Sequence, residues 1–349
     1  MPYAREAIRK IAGYTPGEQP QGKPLVKLNT NENPYPPSPK VAEAFQGENL
    51  ARLRLYSDPT ARELRETAAE LYGLHPEQIL VGNGSDDLLT IMTRTFVGEG
   101  ETFAYATPSY SLYPVLADLQ GARHLPVELD ENFCLPQNTA ELAAGAKLFI
   151  FARPNAPTGT LTPFEGVVRL CETFDGVVWI DEAYVDFAGE NCLSLVGRYP
   201  NVIVSRTFSK SYSLAGLRVG LAFGAEELIT EMNKVKDSYN VDMVAQILAT
   251  AALKDSEYMR SNARKICASR DKLGTALSAW GCKVLPSATN FLFVKPARLA
   301  ARELFRRLRE RGFLVRYFDL PRVSEYLRIT IGLPEDMERF LAVWKELDA

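Results

Sequence analysis

What most constrains this chain is a series of short apolar runs at 78–81, 102–105, 147–151, 177–180, 202–205 and 219–223, most of them separated by stretches of helical periodicity. Runs such as Leu148-Phe149-Ile150-Phe151 are continuous rather than alternating, the mark of strands buried on both faces. Parallel neighbours need a crossover between them, and the intervening helices supply it. The expected fold class is therefore α/β, a largely parallel sheet flanked by helices. One helix is expected to start with Asp58 as its cap and Pro59 at its first position, with Ala61, Leu64, Ala68 and Leu71 at helical spacing and Gly73 closing it. A second is expected over 86–96, with Leu88, Leu89 and Met92 on one face, and 233–253 reads as one long amphipathic stretch leading out of the sheet.

The last hundred residues change character. A basic helix around 302–311 and shorter strands at 290–294, 313–316 and 326–330 indicate a smaller α+β domain. The first 45 residues, with Pro16-Gly17, Pro20, Gly22, Pro24 and the run Asn29-Thr30-Asn31-Glu32-Asn33-Pro34, read as an extended arm joined to that domain rather than as a core element. The expected division is an arm at 1–45, a large domain at 46–245 and a small domain at 246–349. A length of 349 residues suits this, at roughly 150 residues per domain. No repeat of solenoid length interrupts the pattern.

Composition removes several classes of function. Forty Lys and Arg against 43 Asp and Glu leave a net charge of −3 with the signs interleaved, so no global field recruits nucleic acid or anionic lipid. Any anion must be captured locally. The two histidines, His75 and His124, stand at no metal-ligand spacing, and no metal is expected. Five widely spaced cysteines (Cys134, Cys171, Cys192, Cys267, Cys282) read as free thiols of a reducing compartment. No apolar run approaches the roughly 18 residues of a membrane span, and the start Met1-Pro2-Tyr3-Ala4-Arg5-Glu6 lacks the apolar core of a signal peptide. A cytoplasmic location is expected.

In open α/β sheets, ligands bind beyond the carboxyl ends of the strands, and four such places carry polar residues. After 78–81 comes Gly82-Asn83-Gly84-Ser85-Asp86, either a phosphate cradle at a helix start or an ordinary tight turn. A dinucleotide fingerprint fails there because Asp87 stands at the third glycine position, and no P-loop is present. After 147–151 comes Arg153-Pro154-Asn155-Ala156-Pro157, where two prolines either pre-orient the Asn155 amide or merely stiffen a connector. After 177–180 come Asp181 and Tyr184; a carboxylate there is costly to desolvate unless it meets a cation, though a helix cap is an equal alternative. The fourth is the sharpest: Thr207-Phe208-Ser209-Lys210 followed by Arg218 sets hydroxyls, an amine and a guanidinium in one segment.

Pyridoxal 5′-phosphate needs a lysine to carry it, an acid facing its ring nitrogen and a cup for its phosphate. Lys210, Asp181 and the group Gly84, Ser85, Thr207, Ser209 and Arg218 meet those needs. Asn155 and Tyr184 suit hydrogen bonding to the ring's phenolic oxygen, and Tyr110, in Pro108-Ser109-Tyr110, suits stacking on its face.

In this order of residues the chain, from 28 to 332, resembles the fold-type I pyridoxal-phosphate aminotransferases. The resemblance implies catalytic roles for Lys210, Asp181 and Tyr184 and a phosphate site of Ser85, Asp86, Thr207, Ser209 and Arg218 beside Gly84. It also implies a homodimer with shared active sites, in which Tyr56 reaches the neighbouring subunit's phosphate. Within the family, the arm at 28–34 and the segment 206–210 are most similar to the histidinol-phosphate aminotransferases. That likeness implies an exchange between L-histidinol phosphate and 2-oxoglutarate, giving imidazole acetol phosphate and L-glutamate in histidine biosynthesis. Arg316, Arg328 and Tyr14, with Asn155, would then bind the substrates, since a guanidinium accepts phosphate and carboxylate alike. Ser211-Tyr212-Ser213, Ala156 and Pro108-Ser109-Tyr110-Ser111-Leu112-Tyr113 depart from the commoner family pattern. Aromatic aminotransferases and threonine-phosphate decarboxylases share the scaffold and stand as alternatives. A cofactor-binding regulator is disfavoured, because only about 30 residues precede the first motif, fewer than a helix-turn-helix unit needs.

Overall fold

Period-two alternation sorts each apolar run onto two faces of one sheet. In the computed structural model, which describes residues 3–15, 17–20 and 25–348, Leu148, Ile150, Trp179, Ile203 and Ala222 point into one core. Phe149, Phe151, Val178, Ile180, Val202 and Val204 point into the other. Helices Ser85–Phe96, Leu112–Gln120 and Glu226–Val235 cover the first face, and helices Arg62–Tyr72, Phe164–Thr173 and Met243–Leu253 the second. Of the residues used above for the start and the arm, Met1, Pro2, Pro16, Gly22 and Pro24 lie outside the described residues.

The arm supplies β1 (Val26–Lys27). The main sheet comprises β2 (Ile79–Gly82), β3 (Thr102–Thr107), β4 (Arg123–Glu128), β5 (Leu148–Ala152), β6 (Val177–Asp181), β7 (Val202–Thr207) and β8 (Gly220–Gly224). Its order is β2-β8-β7-β6-β5-β3-β4, with β8 antiparallel to both neighbours and every other pair parallel. Short strands follow: β9 (Lys283–Val284), β10 (Phe291–Lys295), β11 (Phe313–Leu314), β12 (Arg316–Tyr317) and β13 (Leu327–Thr330). They build an antiparallel sheet β12-β13-β10-β9, while β11 pairs in parallel with β1. The architecture is the expected α/β sheet flanked by helices, with smaller sheets beside it.

Several local expectations are corrected. Asp58 does not cap a helix; its Oδ1 accepts from the Thr60 amide and hydroxyl, both at 2.8 Å, Ala61 turns to φ +50°, and the helix begins at Arg62. The stretch 233–253 is not one helix. Asp242 caps the second of two by accepting from the Ala245 amide at 2.9 Å, and Asn240 ties the connector to the Val81 carbonyl at 3.0 Å. The longest helix is Ser256–Ala279, which leads to the small sheets. The strand expected over 313–316 divides at Val315 between two sheets. Edge strand β4 escapes the sequence pattern because it is mostly exposed and contains Pro126, tolerated only where no ladder partner is needed.

The arm is also more deeply set than expected. Leu28 donates its amide to Leu314 O at 2.8 Å and accepts from the Thr330 amide at 3.0 Å, so it is wedged between β11 and β13 and belongs to the core. Short helices Glu6–Lys10 and Pro39–Ala44 break its extended course. Among the described residues no helix is long and apolar enough to cross a membrane.

Candidate active site

Topology delivers distant residues to one edge. Strands β5, β6 and β7 are parallel, and β2 runs with them because it is antiparallel to β8, which is antiparallel to β7. Their carboxyl ends therefore present Gly84-Ser85, Asn155, Asp181-Tyr184 and Thr207–Lys210 on the same side. The reversed strand β8 enters from that side, which puts Arg218 there too.

The first cluster has the chemistry of a cup for an anion. Gly84 has φ +84° and ψ 171°, a conformation essentially restricted to glycine, and a Cβ there would lie 2.4 Å from Arg218 Nη2. Arg218 donates to Ser209 Oγ at 3.3 Å, and the Ser209 amide donates to Thr207 Oγ1 at 3.1 Å. Helix Ser85–Phe96 begins without a side-chain cap, so its first amides and the positive end of its dipole face this space. Ser85 Oγ is buried with no hydrogen-bond partner. These features fit a phosphate. The Asp86 carboxylate pairs with Arg218 at 3.4 Å and accepts from Tyr110 at 3.2 Å, so its own charge opposes a bound anion and only its main-chain amide suits the cup.

Beside the cup lies a carboxylate without a cation. Asp181 accepts from the Tyr113 hydroxyl at 2.9 Å and the Ala183 amide at 3.2 Å, but burial pushes its pKa up to about 6. A protonated ring nitrogen would relieve that desolvation. Lys210 Nζ donates to Thr30 O at 3.2 Å and sits 5.7 Å from the centroid of the Tyr184 ring. Asn155 reaches the same cluster with both amide hydrogens engaged, to Thr158 Oγ1 at 2.8 Å and Pro108 O at 3.1 Å, while Ser109 donates to its Oδ1 at 2.7 Å. A ligand oxygen must therefore compete with those two acceptors. Tyr110 stands edge-on to Tyr14 and Tyr113, with centroids 5.6 and 5.7 Å away.

A second place suited to an anion lies on the small sheet. Arg316 and Arg328 face each other across β12 and β13. Arg328 donates Nη2 to Asn29 O at 2.8 Å, its Nε is buried without a partner, and its guanidinium lies over Phe291 and Phe318. Burial, with Arg316 beside it, lowers its pKa. A substrate phosphate or carboxylate would satisfy both the charge and the open donor. Tyr56 is not brought to this cluster: it is 80% exposed and stacks on Tyr239 at 4.5 Å.

Sequence reasoning missed the supports. Tyr113 lies one helical turn beyond Tyr110 and orients Asp181, a spacing that could have revealed it. Glu182 holds Arg206 at 2.9 Å behind the site, joining the carboxyl ends of β6 and β7, and Arg206 covers the Tyr72 ring. Asn33 donates to the carbonyls of Lys210 and Ser211, both at 3.0 Å, and fixes the lysine's backbone. No local motif announces these contacts, because each joins segments far apart in the chain.

A lysine amine with no carboxylate partner among the described residues, a buried carboxylate lacking a cation and two clusters suited to anions fit chemistry on an amine carried by a phosphorylated ring. The family model for aminotransferase class I and II matches residues 23–343. A histidinol-phosphate aminotransferase of Microcystis aeruginosa is 46% identical over 343 residues, 98% of each chain. Another, from Syntrophotalea carbinolica, is 46% identical over 98% of this chain and 99% of its own. The crystal structure of histidinol-phosphate aminotransferase from Sinorhizobium meliloti in complex with pyridoxal-5′-phosphate superposes with a TM-score of 0.90 at 25% identity, covering 99% of both chains. With a match of that extent and a site of that chemistry, the chain belongs to the class I and II aminotransferases.

Proposed function

We propose that this aminotransferase uses pyridoxal 5′-phosphate to exchange an amino group between L-histidinol phosphate and 2-oxoglutarate, giving imidazole acetol phosphate and L-glutamate. The observation that carries the proposal is the presence in one site with Lys210 of a buried carboxylate that lacks a cation, Asp181, and of a pair of arginines that lacks a carboxylate, Arg316 and Arg328. The names of the full-length relatives support the substrate.

The cofactor, when bound, supplies an electron sink conjugated to the reacting carbon. Gly84, Ser85, Thr207, Ser209 and Arg218, with the Asp86 amide, would hold its phosphate, and the ionised Asp181 would keep a proton on its ring nitrogen. Tyr113 and the Ala183 amide aim that carboxylate. Tyr184 and Asn155 would bond its phenolic oxygen and Tyr110 would face its ring. Lys210 Nζ is the base that takes the proton from the substrate's Cα and returns it on the other side of the exchange. Arg316, Arg328 and Tyr14 grip the phosphate of one substrate and a carboxylate of the other, so one anion position serves both half-reactions.

We further propose a homodimer in which Tyr56 enters the partner's site. The support is the exposure of Leu50, Leu53, Leu55 and Tyr56, close together in the chain, and of Tyr239, stacked on Tyr56; exposed apolar groups gathered in this way mark association. The main sheet precedes residue 245 and β9–β13 follow it, which supports a large and a small domain, but the boundary at 245 falls inside helix Met243–Leu253, which packs with the large domain. The free cysteines suit a cytoplasmic setting.

The test mixes the cofactor-loaded protein separately with L-histidinol phosphate, L-phenylalanine and L-threonine phosphate, and follows the cofactor's absorbance and the keto product. Fastest conversion of histidinol phosphate per unit concentration is expected. Faster reaction of phenylalanine, or CO₂ release from threonine phosphate, would reassign the substrate; silence with all three would reject the site.

A further inference from the structure

Tyr184's hydroxyl is bonded by a residue of the arm. Asn31 Nδ2 donates to Tyr184 Oη at 2.8 Å, a contact across 153 residues of chain and buried throughout. Asn31 is 1% exposed and has φ +57°, a left-handed conformation that asparagine tolerates better than most residues. Its carbonyl is held by Asn290 Nδ2 at 3.0 Å. The residue is thus clamped at both its main chain and its side chain.

Which end of the Asn31 amide faces Tyr184 follows from Thr330. The buried amide of Asn31 donates to Thr330 Oγ1 at 3.0 Å, which uses that hydroxyl as an acceptor. The hydroxyl's single proton then goes to Asn31 Oδ1, also at 3.0 Å. With Oδ1 committed to Thr330, the NH₂ group must face Tyr184. Tyr184 Oη therefore accepts from Asn31 and keeps its own proton for another acceptor, and no second partner for it exists among the described residues.

We propose that Asn31, its amide fixed by Thr330, is a positioning residue that commits the Tyr184 hydroxyl to donate toward the phenolic oxygen of the bound cofactor. The inference rests on the assignment of Tyr184 to that oxygen made above. A donor at that oxygen stabilises its ionised form, and a donor already accepting a hydrogen bond is the stronger for it. Thr330 stands two residues after Arg328 on β13 and so shares its face of the sheet, which places the substrate's anion site and the Tyr184 support on one strand. Of the charged groups around Tyr184, Lys210 lies over its ring, Arg328 interacts with it, and Asp181 stands three residues before it in the chain. None is altered by the neutral substitutions below.

The experiment titrates the visible absorbance of the cofactor-loaded protein with pH and, separately, measures cofactor affinity by equilibrium dialysis. Asn31→Gly is neutral and suits the left-handed backbone; Asn31→Asp presents an acceptor that draws the Tyr184 proton away; Thr330→Val releases the amide to flip, and Thr330→Ser keeps the hydroxyl. The midpoint is expected to rise by about one pH unit in Thr330→Val and Asn31→Gly, more in Asn31→Asp, and to stay at the wild-type value in Thr330→Ser. Tyr184→Phe is the reference and should raise it as well. A shift in Tyr184→Phe with none in the Asn31 variants would overturn the inference alone. An unmoved midpoint in Tyr184→Phe would overturn the assignment of Tyr184 and the inference with it. Should Thr330→Val not fold, Asn31→Gly decides the matter.

Discussion

Replacing Asp181 with asparagine in the cofactor-free protein should change stability in a pH-dependent way that no surface substitution can imitate. Burial raises this carboxyl from 3.8 to about 6, so the folded chain holds the proton more tightly than the unfolded one. Below pH 4 the group is protonated in both states and imposes no ionic penalty. Between pH 4 and pH 6 the unfolded chain ionises first and folding loses stability; above pH 6 the loss is complete and constant. A displacement of about two pH units corresponds to about 3 kcal/mol. Asparagine stays neutral but keeps only one acceptor oxygen for the Tyr113 hydroxyl and the Ala183 amide, a constant loss of about 1 kcal/mol. The variant should therefore be about 1 kcal/mol less stable than wild type near pH 4 and about 2 kcal/mol more stable at pH 8. Urea unfolding followed by circular dichroism from pH 4 to 8 measures the difference. A gap that does not vary with pH would refute the claim that Asp181 is ionised and unpaired in the folded chain.

Lys210→Ala should abolish amino-group transfer while the far-ultraviolet circular dichroism stays that of wild type; residual turnover at wild-type rate would remove Lys210 from its role. Gly84→Ala forces a glycine-only conformation at a cost of about 1–3 kcal/mol and drives its Cβ against Arg218, so cofactor affinity in equilibrium dialysis should fall about tenfold or more. Arg328→Met should raise KM about tenfold or more for both amino donor and 2-oxoglutarate, with no fall in melting temperature because the lost charge is buried without a counter-ion; an effect on one substrate only would end the shared-site proposal. The double variant Leu50→Asp/Leu53→Asp should sediment as a monomer, and a dimer unaffected by it would move the interface elsewhere.

Much of the site was legible because its residues occupy positions set by local rules. Asp181, Thr207 and Arg218 stand at the ends of apolar runs, and a strand's end is visible wherever a run stops. Asn155 was equally visible, but its loop bonds were not, since Thr158 and Pro108 meet its amide only when the connector closes. Tyr56 was found by likeness to relatives, and this single chain leaves it on the surface.

The sequence by itself determined the central strands, the helices between them and the chemistry at the strand ends, because backbone periodicity and side-chain character act over a few residues. The reversed entry of β8, the edge strand β4, the division of 313–316 and the burial of Leu28, Asn29 and Asn31 were decided only by tertiary structure. Polar segments such as 29–33 carry no hydrophobic signal. Their place in the interior depends on partners as distant as Tyr184, Asn290 and Thr330, whose hydrogen bonds offset the desolvation that would otherwise keep the arm in water.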